Sequence, residues 1–450
     1  MQAFISLPGI EGDEAPEKWE KLLFRDVGGL PLLLRVIATA RTSGVSSILL
    51  VHPRALPDTW LRGKLQSDLL SSVSIRWVAV EDAFDPGDPD HWRLVESHLE
   101  PKFLWLPWNY VTVKSVLASL VAAGEDKGAR FSLPQATDAA SAQGASQDGK
   151  GLATPAVVDK DDLLKSGDGN LTEYLRRRSL ELVSCSVSPG TAVSSARDVK
   201  EAEGLLIRGS GKASDGFHSK LNRWLSRPVV RWLLKTPVTP NMVTWAGLPV
   251  VALSGYWYAK GHWSAYVIGG LVYFASVLLD EVDGMLARTK FQESPFGCWL
   301  ETFVDYVSYL VLWSGMSIGL YRQYGSITWP ILGMLVMVSN VLTFFVLIRQ
   351  RKVVVPTDHP EQYQKRFYGR LEADSASLIS RMIRKVVHFA KRGVMCHFIL
   401  LFSILNLVPL LFGLVVTGSA LTLIISIYMN RLFRLPVTDP AAAWGRAVKN

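Results

Sequence analysis

Four carboxylates lie among long apolar runs, where charged side chains are costly. Asp280 and Asp283 follow the run WSAYVIGGLVYFASVLL, and Glu301 and Asp305 precede the run YVSYLVLWSGMSIGLY. Both runs are long and apolar enough to predict helices that span a bilayer. One carboxylate at the centre of a membrane helix costs roughly 2.5 to 3.5 kcal/mol. Four of them therefore need a compensating charge.

The spacing of these acids predicts two acidic helix faces. Helical positions three and four apart share a face, so Asp280 and Asp283 lie on one face and Glu301 and Asp305 on another. Oxygen ligands without His or Cys favour Mg²⁺ or Mn²⁺ over zinc. Two such ions clamp a pyrophosphate and orient an attacking hydroxyl. Nearby Arg288 offers a guanidinium fork for a phosphate.

Structural ion pairs and a transport site are weaker interpretations of the four acids. Ion pairs would need several cations, but only Arg288 and Lys290 lie close to the acids in sequence. A transporter would spread its acids over several helices near the middle of the membrane, whereas these acids cluster at the adjoining ends of two consecutive helices. A divalent metal site is the preferred interpretation.

The pattern DxxDGxxAR, eight further residues, and GxxxExxxD, from Asp280 to Asp305, resembles the signature of the CDP-alcohol phosphotransferase family. One position departs, because the family usually has Asp where this chain has Glu301. The resemblance implies transfer of a substituted phosphate from a CDP-linked donor to an alcohol, with release of CMP, in phospholipid synthesis. It also implies that the four acids hold two ions of Mg²⁺ or Mn²⁺ and that Asp305 takes the proton from the acceptor hydroxyl. The CDP site would then be lined by Gly284, Ala287, Arg288, Ser294 and Gly297.

A short polar segment, TPNMVT from Thr239 to Thr244, resembles the entry motif before the first membrane helix of the same family. Polar side chains at this place either cap a helix or hold the cytidine and phosphates. Asn241 and Thr244 are therefore secondary candidates for the CDP site.

The second half of the chain predicts an all-α transmembrane domain of six helices at 241–435, followed by a tail at 436–450. A basic amphipathic juxtamembrane segment at 206–240 precedes it and is expected to lie in the cytoplasmic interface. The connection 349–392 holds eleven Lys or Arg and four acids, so we expect it, both termini and the acids on the cytoplasmic side. The spans are predicted at about 243–260, 263–287, 297–321, 327–348, 393–411 and 413–433.

Cations of the same connection have two interpretations, contact with a phosphorylated acceptor or attraction to lipid headgroups. The candidates for the acceptor site are Arg349, Arg351, Arg381, Arg384, Lys385 and Arg392.

The first 205 residues predict a doubly wound α/β domain, because short apolar runs such as AFISL, SSILLVHP, SIRWVAV and KFLWLP alternate with helical patterns. The segment RDVGGLPLLLRVIATARTSGVSSILLV resembles nucleotidyltransferases that make sugar or polyol nucleotides. Their glycine-rich basic loop is replaced by the acidic LPGIEGDEAPE, and Trp108 follows the strand where a metal-binding acid is expected. We predict a degenerate domain kept for binding or assembly, with an active cytidylyltransferase as the alternative. Lys21 is either a phosphate ligand or a surface lysine, and 134–155 is predicted to be a disordered insertion.

The order of the parts is similar to that of archaeal fusions of an inositol-phosphate cytidylyltransferase with a di-inositol-phosphate-phosphate synthase. This layout suggests inositol phosphate as acceptor and a homodimer.

A net charge of +8 suits a bacterial or archaeal cytoplasmic membrane, with no role in nucleic-acid binding. Three widely spaced cysteines predict no disulfide or metal site, and the N-terminus has no signal-peptide pattern. A non-catalytic membrane scaffold stays open as a further alternative.

Overall fold

The computed structural model describes most of the chain, in ten segments. These are residues 1–9, 15–71, 73–124, 128–131, 154–165, 170–177, 180–183, 189–211, 216–354 and 392–434. The chain divides into two compact units. The N-terminal unit contains residues 1–210 with 234–236 and 289–291, and the helical unit contains residues 211–233, 237–288 and 292–450.

A seven-stranded mixed sheet forms the centre of the N-terminal unit, in the order β10-β8-β9-β6-β1-β4-β5. Strand β1 pairs in parallel with β4 and β6, whereas β9 runs antiparallel to β6 and β8. Two short pairs, β2 with β3 and β7 with β11, complete the strands. The strands are β1 Gln2–Ser6, β2 Asp26–Val27, β3 Leu30–Pro31, β4 Ser47–Pro53, β5 Ser74–Val80, β6 Lys102–Trp105, β7 Tyr110–Val111, β8 Ala129–Phe131, β9 Ala156–Asp159, β10 Glu181–Val183 and β11 Thr191–Ala192.

Helices cover both faces of this sheet, as the alternation of buried side chains requires. On β1, Ala3 and Ile5 enter one apolar core, and Phe4 between them enters the other with Trp92 and Trp105. The predicted doubly wound α/β class is confirmed, with an antiparallel strand added. The α-helices are α1 Ala15–Leu23, α2 Leu32–Thr42, α3 Asp58–Lys64, α4 Pro89–Val95, α5 Lys114–Ala123, α6 Lys160–Lys165, α7 Leu171–Arg177 and α8 Ala196–Gly209.

A fully buried arginine, Arg35, holds the glycine turn between β2 and β3. Its guanidinium donates to the carbonyls of Val27 at 2.7 Å and Gly28 at 3.0 Å, and to that of Thr289 at 2.9 Å. Both glycines of the turn have positive φ, 64° at Gly28 and 85° at Gly29, so the turn needs residues without a Cβ. Burial lowers the pKa of Arg35 to about 10, so the side chain remains charged at neutral pH.

Seven helices make up the described part of the helical unit. Four of them are long and apolar enough to cross a membrane: Trp263–Lys290, Pro295–Tyr324, Thr328–Gln350 and Val408–Met429. The seven helices are α9 Phe217–Leu233, α10 Pro240–Tyr258, α11 Trp263–Lys290, α12 Pro295–Tyr324, α13 Thr328–Val354, α14 Arg392–Ile404 and α15 Val408–Arg434.

Each of the six predicted spans coincides with one of the helices α10 to α15, although the fifth is shorter than predicted. Helix α14 ends at Ile404, because Asn406 takes a left-handed backbone conformation (φ 56°) before α15 begins at Val408. The count of six spans and their orientation remain predictions. The expected disordered insertion lies almost wholly outside the described residues, as do most of the basic connection and the C-terminal tail.

Helices α10 and α12 pack unusually closely. A Cβ added at Gly315 would come within 2.3 Å of the Gly255 carbonyl oxygen, and one at Gly319 within 2.0 Å of the Tyr258 carbonyl oxygen. Small residues that allow such contact are a common device for joining helices in a membrane. This packing fixes α10 against the helix that carries Glu301 and Asp305.

Candidate active site

The four predicted acids lie at the adjoining ends of α11 and α12. Helix α12 starts cleanly there, because the Ser294 hydroxyl accepts a hydrogen bond from the Gly297 amide at 3.0 Å and Pro295 occupies the first turn. Across the turn, the Gln292 amide donates to the Ala287 carbonyl at 2.8 Å. The acids on the two helices are thereby held on either side of a short turn.

Asp280 and Asp305 are brought together by one cation. Arg392, the first residue of α14, donates from Nη1 to Oδ1 of Asp280 at 3.1 Å and also to Oδ1 of Asp305. The Arg392 side chain is only 8% exposed. One acid from each helix is therefore neutralised by a residue 112 and 87 positions away in the sequence.

Asp283 is the most buried of the four acids, at 5% exposure. Its Oδ2 accepts a hydrogen bond of 2.5 Å from the Thr244 hydroxyl, which also lies 3.2 Å from the Pro240 carbonyl oxygen. Thr239 caps the same helix, since its side chain accepts from the Met242 amide. Thr239 therefore caps the helix and Thr244 contacts one of the acids, whereas the role of Asn241 and Thr244 in holding the cytidine and phosphates stays a prediction.

Glu301 occupies the more open side of the cluster. Its side chain is exposed, and it interacts electrostatically with Asp283, Asp305 and Arg288. The longer side chain at this position therefore still places its carboxylate among the other three acids.

The residues predicted for the CDP site form two small groups. Arg288 folds back over Gly284, since a Cβ there would lie 3.2 Å from an Arg288 Nη atom. A Cβ at Gly297 would lie 3.1 Å from both the Asn241 and Ser294 side-chain oxygens, which places these three residues together. Ala287 is half-buried on α11.

The residues predicted to bind the acceptor lie in different parts of the chain. Arg392 contacts the acids as described, and Arg349 is exposed near the end of α13. Arg351 belongs to the same helix, and Arg381, Arg384 and Lys385 lie outside the described residues.

Residues 237–390 match the family described as CDP-alcohol phosphatidyltransferase. This match covers the acids, the Thr239–Thr244 segment and part of the basic connection. Residues 237–390 are therefore similar in sequence to CDP-alcohol phosphatidyltransferase domains.

Curated relatives of this chain include proteins named bifunctional IPC transferase and DIPP synthase. The one from Thermococcus kodakarensis is 32% identical over 143 residues, which are 31% of this chain and 32% of the relative. The one from Aquifex aeolicus is 24% identical over 292 residues, 62% of this chain and 61% of the relative. A CDP-diacylglycerol–inositol 3-phosphatidyltransferase of Drosophila melanogaster is 39% identical over 66 residues, 15% of this chain and 28% of the relative. The alignments thus span from about a quarter to three fifths of these relatives.

A solved structure assigned to a glucose-1-phosphate thymidylyltransferase from Bacillus anthracis covers 46% of this chain and 95% of its own, at 14% identity and a TM-score of 0.32. That score is too low to support an argument about fold or function.

The four acids are suitable ligands for a divalent metal ion, and the family that matches this segment generally uses such ions. Four carboxylates offer only hard oxygen ligands, which Mg²⁺ and Mn²⁺ prefer. Among the described residues, however, no group of three or more His, Cys, Asp or Glu is closed around one point as metal ligands are. Arg392 is the cation that the described residues place on two of these acids.

One residue of this site was missed in the sequence. Tyr273 is fully buried, and its hydroxyl lies beside the guanidinium of Arg392 and close to Asp305. It precedes Asp280 by seven residues, two helical turns, so the helical period alone places both on one face of α11. Nothing else in the sequence distinguishes this tyrosine from the apolar residues around it.

A second contact was also missed. Arg223 of α9 donates to Glu281 of α11 at 3.2 Å, and both side chains are largely buried. The basic juxtamembrane helix therefore pairs with the helix that carries Asp280 and Asp283.

Proposed function

We propose that this protein transfers a substituted phosphate from a CDP-linked donor to an alcohol, releasing CMP in phospholipid synthesis. The observation that carries the proposal is the gathering of Asp280, Asp283, Glu301 and Asp305 within the family-matched segment. The donor would be CDP-diacylglycerol or a CDP-polyol.

These residues have separate roles in the proposed reaction. Two divalent ions, held by the four acids, would supply charge to the pyrophosphate of the donor. Arg288 supports the phosphates, and Gly284 and Gly297 leave room for the nucleotide beside Asn241, Ser294 and Thr244. Asp305 accepts the proton of the acceptor hydroxyl.

The bond changes are those of a phosphoryl substitution. The acceptor oxygen forms a bond to the β-phosphorus of the donor, and the bond from that phosphorus to the bridging oxygen breaks. The bridging oxygen leaves with CMP, and the proton of the hydroxyl goes to Asp305. Most of the rate enhancement then comes from positioning and charge stabilisation.

Inositol phosphate is the acceptor that the relatives favour. Two of the similar proteins are named for inositol or its phosphate, the Drosophila enzyme and an archaetidylinositol phosphate synthase of Pyrococcus horikoshii. Arg392, which already lies at the acids, is the cation best placed to meet the acceptor phosphate. We place the site and both termini on the cytoplasmic side of a cytoplasmic membrane, in a homodimer.

A bifunctional enzyme is the second candidate, because the alignment with the Aquifex relative extends over 62% of this chain, well beyond residues 237–390. In that case the N-terminal unit would make the CDP-alcohol and release pyrophosphate from CTP. The acidic segment after β1 and Trp108 after β6 argue against it.

One assay tests these proposals together. Purified full-length protein in detergent with Mg²⁺ is offered CDP-diacylglycerol or CDP-inositol against a panel of polyol phosphates, and CMP is measured. Metal-dependent CMP release with one pair supports the proposal and names both substrates. Pyrophosphate release from CTP and inositol phosphate would establish the second activity, and silence across the whole panel would favour a scaffold.

The departure at Glu301 has its own test. We expect Glu301→Asp to retain CMP release within about tenfold and Glu301→Ala to lose it, because only the carboxylate is a metal ligand. Full activity of Glu301→Ala would exclude that role.

A further inference from the structure

Arg392 bridges two of the predicted metal ligands, Asp280 on α11 and Asp305 on α12. Its Nη1 donates to one carboxylate oxygen of Asp280 and one of Asp305, and its side chain is 8% exposed. Two of the four negative charges are thereby offset by one positive charge, which reduces the cost of burying them. In this arrangement Arg392 supplies the counter-charge for both acids.

The same contacts oppose metal loading. Each Oδ1 atom that accepts from Nη1 has a lone pair engaged, and a guanidinium repels a divalent cation at short distance. An ion bound between the two Oδ1 atoms would compete with Nη1 for both of them, so binding at these atoms requires Arg392 to move.

Neighbouring polar atoms offer Arg392 a second position. Nε of Arg392 is buried and makes no hydrogen bond, and the buried hydroxyl of Tyr273 lies next to the guanidinium. A buried polar atom without a partner costs about 1–3 kcal/mol. Tyr273 lies beside Arg392, so a guanidinium that turns away from the acids finds an acceptor in the Tyr273 hydroxyl.

We propose that Arg392 is an exchangeable counter-charge, which holds Asp280 and Asp305 in the metal-free protein and releases them when a divalent ion and a phosphorylated alcohol bind. The released guanidinium then pairs with the phosphate of the acceptor. Since each ligand favours the same released position of Arg392, each must tighten the binding of the other. The part played by the acceptor rests on the proposed function, whereas the competition with metal does not.

The test is a titration of the full-length protein in detergent with Mn²⁺, after removal of metal with EDTA. Free Mn²⁺ is followed by its EPR signal and corrected with a protein-free titration. In the wild type, inositol 1-phosphate should lower the Kd for Mn²⁺ about fivefold, within the usual range of coupling between two sites. Arg392→Met, which keeps an unbranched apolar side chain without the charged guanidinium, should bind Mn²⁺ about tenfold more tightly and show no effect of inositol 1-phosphate.

Matched variants separate this effect from a general change of charge. Arg322 lies on α12 about 25 Å from Asp305 along the helix, so Arg322→Met should behave as the wild type. Arg392→Lys keeps the charge and should stay within about threefold of the wild-type Kd. Tyr273→Phe should weaken Mn²⁺ binding by a few fold, because it removes the alternative partner of Arg392, whereas Tyr258→Phe, which removes a buried hydroxyl bonded to Ser403, should not.

Loss of Arg392 also has a consequence for stability. In EDTA, Arg392→Met leaves Asp280 and Asp305 partly buried without the counter-charge of Arg392, so its Tm should be lower than that of the wild type, and Mn²⁺ should remove the difference. This comparison remains informative if the variant folds only in the presence of metal.

Unchanged or weaker Mn²⁺ binding by Arg392→Met, or coupling to inositol 1-phosphate that persists in it, would overturn the proposal. Neither titration requires turnover. A protein that releases no CMP but shows Mn²⁺ binding limited by Arg392 would contradict the proposed function alone. A protein that releases CMP while Arg392→Met binds Mn²⁺ as the wild type does would contradict the exchange alone.

Discussion

Each of the two units contains a buried arginine, and the partners of the two differ. Arg35 of the N-terminal unit donates to three main-chain carbonyls, which are fixed parts of turns and helix ends. Arg392 of the helical unit donates to two carboxylates and keeps one nitrogen without a partner. Main-chain carbonyls carry no net charge and do not titrate near neutral pH, whereas carboxylates bind both metals and protons. The difference in partners indicates that Arg35 stabilises the fold, whereas Arg392 contacts groups that are able to bind a ligand.

The largest effect should come from the most buried acid. We expect Asp283→Asn to lower CMP release at least about 10³-fold, because the change removes a metal ligand while keeping the shape and the hydrogen bond from Thr244. CMP release and the Kd for Mn²⁺ should be measured on the same sample. Normal CMP release would mean that the buried acid is structural, as Arg35 is.

Replacement of Arg35, the buried arginine of the N-terminal unit, should lower the stability of that unit. Arg35→Met leaves three buried carbonyls without their donor, and we expect a loss of about 3 kcal/mol or more in the stability of that unit. Pulse proteolysis of the full-length protein in urea measures it. A variant as stable as the wild type would show that these carbonyls find other donors.

A smaller effect should follow from the hydroxyl that contacts Asp283. Thr244→Val keeps the shape of the side chain, removes its hydrogen bond, and should lower CMP release about tenfold. Thr244→Ser, the control, keeps the hydroxyl and should stay close to the wild type. Equal activity of the valine and serine variants would limit Thr244 to packing within α10.

The smallest effect is expected at a carboxylate that only caps a helix. Asp198 accepts from the main-chain amides of Ser194 and Ser195, and these hydrogen bonds lower its pKa in the folded protein. Its contribution to stability is therefore present above about pH 4 and is lost as the pH falls through the lowered pKa. Asp198→Asn should reduce Tm slightly at pH 7, and the difference from the wild type should shrink toward pH 3.

Local spacing was enough to predict that the four acids lie together and where the main strands form, because both follow from patterns within about 25 residues of sequence. Strands β1, β4, β5 and β6 formed where apolar runs predicted them. Strands β8 and β10 were not predicted, because only three residues of each lie in the sheet. The antiparallel direction of β9 depends on pairing with β6 and β8, which no local pattern encodes.

The partners of the acids were harder to predict than the acids. Thr244 lies 39 residues from Asp283, and its segment was singled out only by resemblance. Arg392 was predicted as one of six acceptor cations, with nothing in the sequence to set it apart or to show that it contacts Asp280 and Asp305. Tyr273 has a polar role only because these distant residues surround it. Contacts of this kind are decided by packing between helices and not by spacing along one of them.

The most direct test of the central claim is the Asp305→Asn variant, assayed for CMP release with Mg²⁺ and the donor and acceptor that the wild type uses. If Asp305 both binds metal and accepts the proton, CMP release should fall at least about 10³-fold while the variant keeps the Tm of the wild type within a few degrees. CMP release at the wild-type rate by a folded Asp305→Asn protein would contradict the assignment of the acid cluster as the active site.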